Sequence, residues 1–404
     1  MDIIGIVAEF DPFHRGHAHL LAWVRARRPE ACVVVAMSGS FTQRGTPAAL
    51  RPAARAEMAL RCGADLVLEL PLPWAISSAE GFARGGVAVL RAASADALAF
   101  GSECGEANLL RDCAAALERP AFPALLREGL AAGRSFAEAR QEAVRRLAGD
   151  CARVLRDPND ALGVSYLAAA HALGWDPELL VVRRAGAGHD AAAPVDGIAS
   201  ASHVRSLLRR GAVDEAEALL PEPCGPILRR EWEAGLCPAS LGSCERAVLY
   251  RLRTMKKAEF LALPDCSEGL ENRLFRAARE ARSLEEFYAL VRSRRCTHAR
   301  ARRLALWAFL NLTAEDRPET LPFVRVLGMN ERGRAVLRQM KQSGGVPIVT
   351  KPAAGQGLPR EGRALLMLEA RAADVWRLCL PDLNESAAGS FWREGPRTAS
   401  GGNG

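Results

Sequence analysis

The sequence predicts an α/β fold: a Rossmann-like doubly wound parallel sheet followed by a mainly α-helical carboxyl-terminal domain. Three observations carry that reading. Short apolar, β-branched runs alternate with helical patterns through residues 1–220. Pro221, Pro223, Cys224, Gly225 and Pro226 then punctuate the chain, and amphipathic helix dominates beyond them. The length, 404 residues, exceeds one ordinary domain.

Ile3, Ile4, Ile6 and Val7 make the first buried strand, broken by Asp11-Pro12-Phe13 before a helix that runs to about Arg28. In His14-Arg15-Gly16-His17, two imidazoles stand at the mouth of that helix beside its free backbone N–H groups. Gly16 lets a ligand approach the main chain closely, so the arrangement suits a phosphate. His19, further into the helix, reads as a surface or packing residue.

Cys32 to Met37 is the second strand. Its polar loop, Ser38 to Pro47 with Gln43 and Arg44, sits where open α/β sheets bind ligands and equally fits a surface loop. A helix with Arg55 and Met58 follows, then strand Asp65 to Leu70 closed by Pro71 and Pro73, and a helix from Ser78 to Ala92. Strand Ala95 to Phe100 ends at Gly101-Ser102-Glu103. The alanine- and arginine-rich stretch 109–156 predicts a helical insertion packed on the sheet.

Asp157-Pro158-Asn159-Asp160 opens the next helix, Leu179 to Arg184 is a fifth strand, and Ala185 to Asp190 reads as a flexible polar loop. At Ser200-Ala-Ser202-His-Val-Arg205, hydroxyls, helix N–H groups and a guanidinium converge, a second anion-binding arrangement. An N-cap followed by a solvated arginine is the plainer alternative.

Past the linker, six arginines between Arg292 and Arg303 surround Cys296-Thr297-His298, just before the apolar Leu304 to Leu310. One face packs and the other is basic: a solvated surface, or one on which Arg295, Arg300 and Arg303 meet nucleic acid. Further strands are expected at Leu321 to Leu327 and Val346 to Lys351. The division expected is 1–220, 221–384 and a flexible tail, 385–404, rich in Gly, Ser and Thr.

Composition narrows the classes. A 49% hydrophobic, 25% charged chain is that of a soluble globular protein. No run approaches the roughly 20 apolar residues of a membrane span, and Asp2 does not suit a signal peptide, so the expectation is a cytoplasmic protein without membrane contact. Eleven cysteines without a CxxC pair indicate neither a zinc ribbon nor a disulfide framework. A net charge of +7 permits a nucleic-acid partner. No protein partner is evident.

The His-x-Gly-His element after a first strand resembles the nucleotidyltransferase superfamily and its class I aminoacyl-tRNA synthetase relatives. The whole set is more specific: GIVAEFDPFHRGH (Gly5 to His17), MSGSFTQRGTPA (Met37 to Ala48), Arg55-x-x-Met58, DLVLELP (Asp65 to Pro71), FGSE (Phe100 to Glu103), PNDxLG (Pro158 to Gly163), RRAGAGHD, ASASHVR, SEGLENRL (Ser267 to Leu274) and RVLGMNERG (Arg325 to Gly333). In that order the motifs resemble the bacterial tRNA(Met) cytidine acetate ligase family over nearly the whole chain.

The resemblance implies acetylation of the wobble cytidine of elongator tRNA(Met) from acetate and ATP, through acetyl-adenylate. It implies catalytic roles for His14 and His17. ATP would be held by the stretch from Val7, Ala8, Glu9 and Phe10 through Gly16 to Leu20, by Gly101, by Asn159 and by Arg183 and Arg184, with Ser200, Ser202 and Arg205 at the second anion site. Mg²⁺ is expected with the ATP phosphates. Ser38, Gln43, Arg44 and Arg55 are candidates for substrate or tRNA contact, with Arg295, Arg300 and Arg303. The chain departs from the family at Ser40, Thr46 and Pro52, where members carry asparagine, glutamate and lysine; Arg51 is the nearest cation to the missing one.

Two other readings stay open at this point. A small-molecule adenylyltransferase would share both anion-binding elements but has no use for a basic helical domain. A catalytically impaired tRNA-binding relative would fit the loss at Pro52. No KMSKS-like loop supports a class I synthetase.

Overall fold

The computed structural model describes residues 1–184, 199–266 and 269–398. The expectations for Ala185 to Asp190, Ile198, Ser267, Glu268 and residues 399–404 lie outside the described residues.

Five parallel strands form the centre: β1 (Ile3–Ala8), β2 (Cys32–Ser38), β3 (Leu66–Leu70), β4 (Ala97–Ser102) and β5 (Glu178–Arg183), in the order β5-β4-β1-β2-β3. The order reverses between β1 and β4, the switch point at which such sheets bind ligands beyond their carboxyl ends. The flanking helices are α1 (Arg15–Arg27), α2 (Pro52–Arg61), α3 (Ala79–Ala92), α4 (Pro158–Ala172), α5 (Ala201–Arg209) and α6 (Gly225–Glu233).

Strand alternation assigns them to two faces. Ile3, Val34, Ala36, Leu66 and Leu68 pack with α3, α4 and the insertion. Ile4, Ile6, Val33, Val35 and Val67 pack with α1, α2, α5 and α6. The insertion consists of helices Ala107–Glu118, Phe122–Ala131 and Phe136–Ala148 with a 3₁₀ segment.

The expected boundary at 220 does not close the sheet. β6 (Val324–Met329) returns from the helical region to lie antiparallel to β3, carrying β7 (Ile348–Val349) and β8 (Arg397–Thr398) beside it. Its run of Val324, Val326 and Leu327 is buried like the other strands, and only long-range pairing decides which sheet it joins. The helical region includes α7 (His298–Phe309), and around β6 and β7 lie α8 (Glu331–Gln342) and α9 (Arg360–Arg377).

The RVLGMNERG motif fastens this return. Asn330 caps α8 by accepting from Gly333 N (3.0 Å) and donates through Nδ2 to Asp65 Oδ1 (2.8 Å). Gly333 is required there, because a Cβ would overlap the Asp65 carbonyl oxygen. The described part of the expected flexible tail, residues 385–398, is packed instead. Ser390–Arg393 forms a 3₁₀ turn that buries Phe391 against Phe323, Val349 and Leu366, and Arg397 and Thr398 pair with β6. Among the described residues, no helix is long and apolar enough to cross a membrane.

The helical region has its own core, which also takes in Phe41, Leu72 and Ile76 from the segments after β2 and β3. Polar contacts cross the same seam. Trp307 Nε1 donates to Ile76 O (2.9 Å) and Trp376 Nε1 to Ala48 O (2.8 Å). Glu369 of α9 accepts from Leu72 N (2.6 Å), close to the buried Glu69–Arg325 ion pair (2.9 Å).

Burial, aided by the nearby Glu69 carboxylate, pushes the Glu369 carboxyl well above the usual carboxylate range. A carboxyl whose pKa is raised by folding contributes stability at acid pH and loses it as pH rises toward the folded-state value. Glu369→Gln should therefore melt higher than the parent protein at pH 8, with the gap shrinking toward pH 5. Thermal melts across that range test this, and a pH-independent difference contradicts the assignment.

Candidate active site

Site construction begins at the carboxyl end of β1. Phe10 adopts a left-handed backbone (φ 49°), costly for a residue with a side chain, and its ring edge meets Phe13 and His17, each at 4.8 Å between centroids. The Phe10 turn thereby presses His17 against His14, whose rings stack at 3.8 Å.

The two histidines cap α1 reciprocally. His14 Nδ1 accepts from Gly16 N (3.0 Å), and His17 Nδ1 accepts from His14 N (3.2 Å). An imidazole that accepts at Nδ1 and is neutral carries its proton on Nε2. Burial, then His14 and Arg184, hold the His17 pKa well below its usual value, so the ring is neutral at physiological pH. His17 therefore presents Nε2–H as a fixed donor at a helix N-terminus, where the backbone already favours an anion. His19 is exposed, as expected.

Around this pair the structure gathers most of the sequence candidates. Gly101, in β4, lies against the side chain of the exposed Arg184, and Arg183 packs beside Gly105. Asn159 stands at the start of α4, its Nδ2 donating to Glu103, which leaves Oδ1 to accept from a ligand. Ser200 caps α5 through His203 N (3.2 Å) and contacts Ser202 Oγ (3.0 Å). Arg205 reaches back to the Asp11 carbonyl and lies 3.5 Å from its carboxylate. Gln43 and Arg44 belong here too: Gln43 N donates to Glu9 Oε1 (2.6 Å), and Arg44 opposes the upward push of burial on the Glu9 carboxyl. Val7, Ala8 and Leu20 contribute mainly packing, Val7 against Gly86 and the others against the core.

Other candidates stand elsewhere. Arg55 is fully buried and donates to the carbonyls of Glu9, Gly39 and Leu50 (3.0 Å for the last), so it is a brace rather than a substrate ligand. Ser38 is buried in β2. Arg295 is exposed on the helical region, whereas Arg300 and Arg303 turn inward toward the loop at Asp265. Arg51 does not stand in for a cation at Pro52, because the fully buried Glu231 of α6 holds its guanidinium at 2.6 and 2.9 Å.

Sequence reading missed Glu103, Asp160 and Asp11. Asp160 accepts from Ser102 Oγ, Glu103 N (2.9 Å) and Cys104 N (3.0 Å), and Glu103 in turn holds Asn159 and Asp160 N (3.0 Å). FGSE and PND thus form one unit across β4 and α4. Each motif was visible, but their mutual pairing left no local signal. Asp11 accepts from Ala49 N (2.6 Å) and anchors Arg205, tying three segments together.

A switch point beneath a histidine-capped helix defines the class, an HxGH nucleotidyltransferase. The HIGH Nucleotidyl Transferase family pattern matches residues 1–390. Narrower comparison gives the branch. The chain is 35% identical over 360 residues to the tRNA(Met) cytidine acetate ligase of Fervidobacterium nodosum, covering 87% of this chain and 84% of the relative. The crystal structure of apo Thermotoga maritima TmcAL superposes with a TM-score of 0.93 at 31% identity, and the same protein bound with alpha-thio ATP with 0.91; each match covers 99% of this chain and 100% of the other. The chain belongs to the tRNA(Met) cytidine acetate ligase family.

Removing the buried guanidinium would leave three carbonyls unpaired beside Glu9, Asp11 and Glu69. Arg55→Ala should cost about 3–5 kcal/mol of unfolding free energy in urea titration. A loss below about 1 kcal/mol would refute the bracing role.

Proposed function

We propose that this protein ligates acetate to N4 of the wobble cytidine of elongator tRNA(Met), using ATP. Acetate oxygen attacks the α-phosphate and pyrophosphate leaves, giving acetyl-adenylate. The cytidine N4 amine then attacks the acetyl carbonyl, AMP departs, and the nitrogen loses a proton. Neither step needs a protein nucleophile; both need charge stabilisation and placement.

The observation that carries this reading is the pair of histidines locked at the α1 N-terminus, where burial holds the His17 pKa low. Donors fixed before the reaction stabilise developing phosphate charge without reorganising. Gly101, Asn159, Arg183, Arg184, Ser200, Ser202 and Arg205 are proposed to complete the ATP cradle. Gln43 and Arg44 are proposed on the acetate or cytidine side. Mg²⁺ is proposed to arrive with ATP, held by phosphate oxygens and water; among the described residues no group of three His, Cys, Asp or Glu is placed to hold a metal ion.

The tRNA is proposed to lie along the basic side of the helical region. Arg294 approaches Gly133 of the insertion (3.4 Å), and the Arg302 charge acts on Arg209 of α5, so cations continue from α7 toward the nucleotide side. A second reading, a catalytically impaired tRNA-binding relative, is favoured by Pro52 together with the engagement of Arg51 by Glu231.

Incubation with ATP, labelled acetate and bacterial tRNA, followed by nuclease digestion, separates these readings. Labelled N4-acetylcytidine in tRNA(Met) is the expected product. Binding of tRNA without acetate-dependent ATP–pyrophosphate exchange would support the impaired relative, and exchange with another acceptor would support a small-molecule adenylyltransferase.

His17→Ala should lower acetate-dependent exchange by at least ~10²-fold. Because the folded-state pKa of His17 is depressed, exchange by the parent protein should show no loss attributable to this residue as pH falls from 8 to 6.5. A rate that requires protonated His17, and so rises toward acid pH in the parent but not in the variant, would overturn the donor assignment.

A further inference from the structure

A shallow cleft beneath α7 has Ile76, Pro264, Asp265, Arg300, Arg303 and Trp307 among its lining residues. Arg317 borders it, lying over the Trp307 ring at 5.7 Å with Nη2 3.9 Å from Asp265 Oδ2, too far for a hydrogen bond. Arg300 spends two nitrogens on the carbonyls of Arg295 and Asp265, yet its Nε is buried without a hydrogen-bond partner among the described residues, as are Nε and Nη2 of Arg317. Burial lowers the Arg303 pKa, Asp265 opposing and Arg300 reinforcing that shift.

Three guanidinium groups therefore meet around one aspartate, with three buried N–H-bearing nitrogens unspent. Buried charged donors are costly to leave unpaired, and arginine forks match the oxygens of a phosphate. We propose that this cleft binds a phosphate group, and that the group belongs to the RNA backbone. The second half of the proposal rests on the tRNA reading above. It is supported by Arg294 and Arg295, exposed just before α7, which extend positive charge beyond what one small anion would use. The structure thereby assigns Arg317, unremarkable in the sequence, to the same anion site as Arg300 and Arg303.

The test uses the full-length protein, a fluorescein-labelled tRNA(Met) transcript read by anisotropy from about 50 to 300 mM salt, and calorimetric titration with inorganic phosphate. Arg317→Gln and Arg303→Gln are preferred to changes at Arg300, which braces the Asp265 loop, and melting curves establish that each variant is folded. Each should weaken tRNA binding about 3- to 10-fold and flatten the slope of log affinity against log salt by about 0.9, one phosphate contact. Arg317→Lys should recover most of the slope.

Unchanged affinity and slope in both glutamine variants would overturn the backbone assignment. If phosphate heat then still depended on Arg317, the cleft would be a site for free phosphate. No such dependence would overturn the site altogether. If the parent protein failed to bind tRNA, the tRNA reading would fall, and the phosphate titration alone would decide the cleft.

Discussion

A buried cation, Arg55, sits where β1 and β2 end. Arg55 is enclosed completely and is held by backbone carbonyls of Glu9, Gly39 and Leu50, with the carboxylates of Glu9, Asp11 and Glu69 supplying the surrounding negative field. A guanidinium in that position cannot shed its proton to escape burial, so its N–H groups dictate where the carbonyls lie. The β1 turn that presents the histidines and the β2 loop that carries Gln43 and Arg44 are consequently set relative to each other.

The β2 loop is clamped from its other side by the helical region. Gly45 has φ 74° and approaches α7 so closely that a Cβ would lie 2.6 Å from Arg303 N. Phe41 is buried in the helical core, and Trp376 holds the Ala48 carbonyl. The helical region is thus part of the scaffold that gives the nucleotide side its shape, beyond any role in meeting tRNA. Movement of α7 on binding a polyanion would be felt at Gly45 directly, two residues from the Glu9 contact at Gln43.

Local signals made the first half of the fold legible. Ile3 to Val7, Cys32 to Met37 and Leu66 to Leu70 announce buried strands by composition, and the HxGH pair can be read as a candidate phosphate site because its chemistry is contiguous. The failures share one cause, distance along the chain. Arg55 reads as a candidate for substrate or tRNA contact because its carbonyl partners belong to three different segments and carbonyls leave no mark in a sequence. The boundary at 220 rests on proline and glycine that mark a change of pattern, while the pairing of Val326 with Leu68 is a tertiary fact. Glu103 and Asn159 were each inside a recognised motif, but their hydrogen bond joins residues 56 apart. The described part of the tail differs from the composition-based reading: Phe391 and Trp392 among small polar residues provide enough apolar surface to dock it.

The late arrival of β6 has a consequence for biosynthesis. β3 is made by residue 70, but the strand that covers its open edge ends at residue 329. At about 5–20 residues per second of synthesis, that edge waits roughly 13 to 50 s for its partner. During this interval Leu66, Val67 and Leu68 offer an unpaired apolar template of the kind that pairs with other chains. From residue 183 onward the five parallel strands are complete while that edge is still open, and yield in the cell should depend on whatever shields it until the chain comes back.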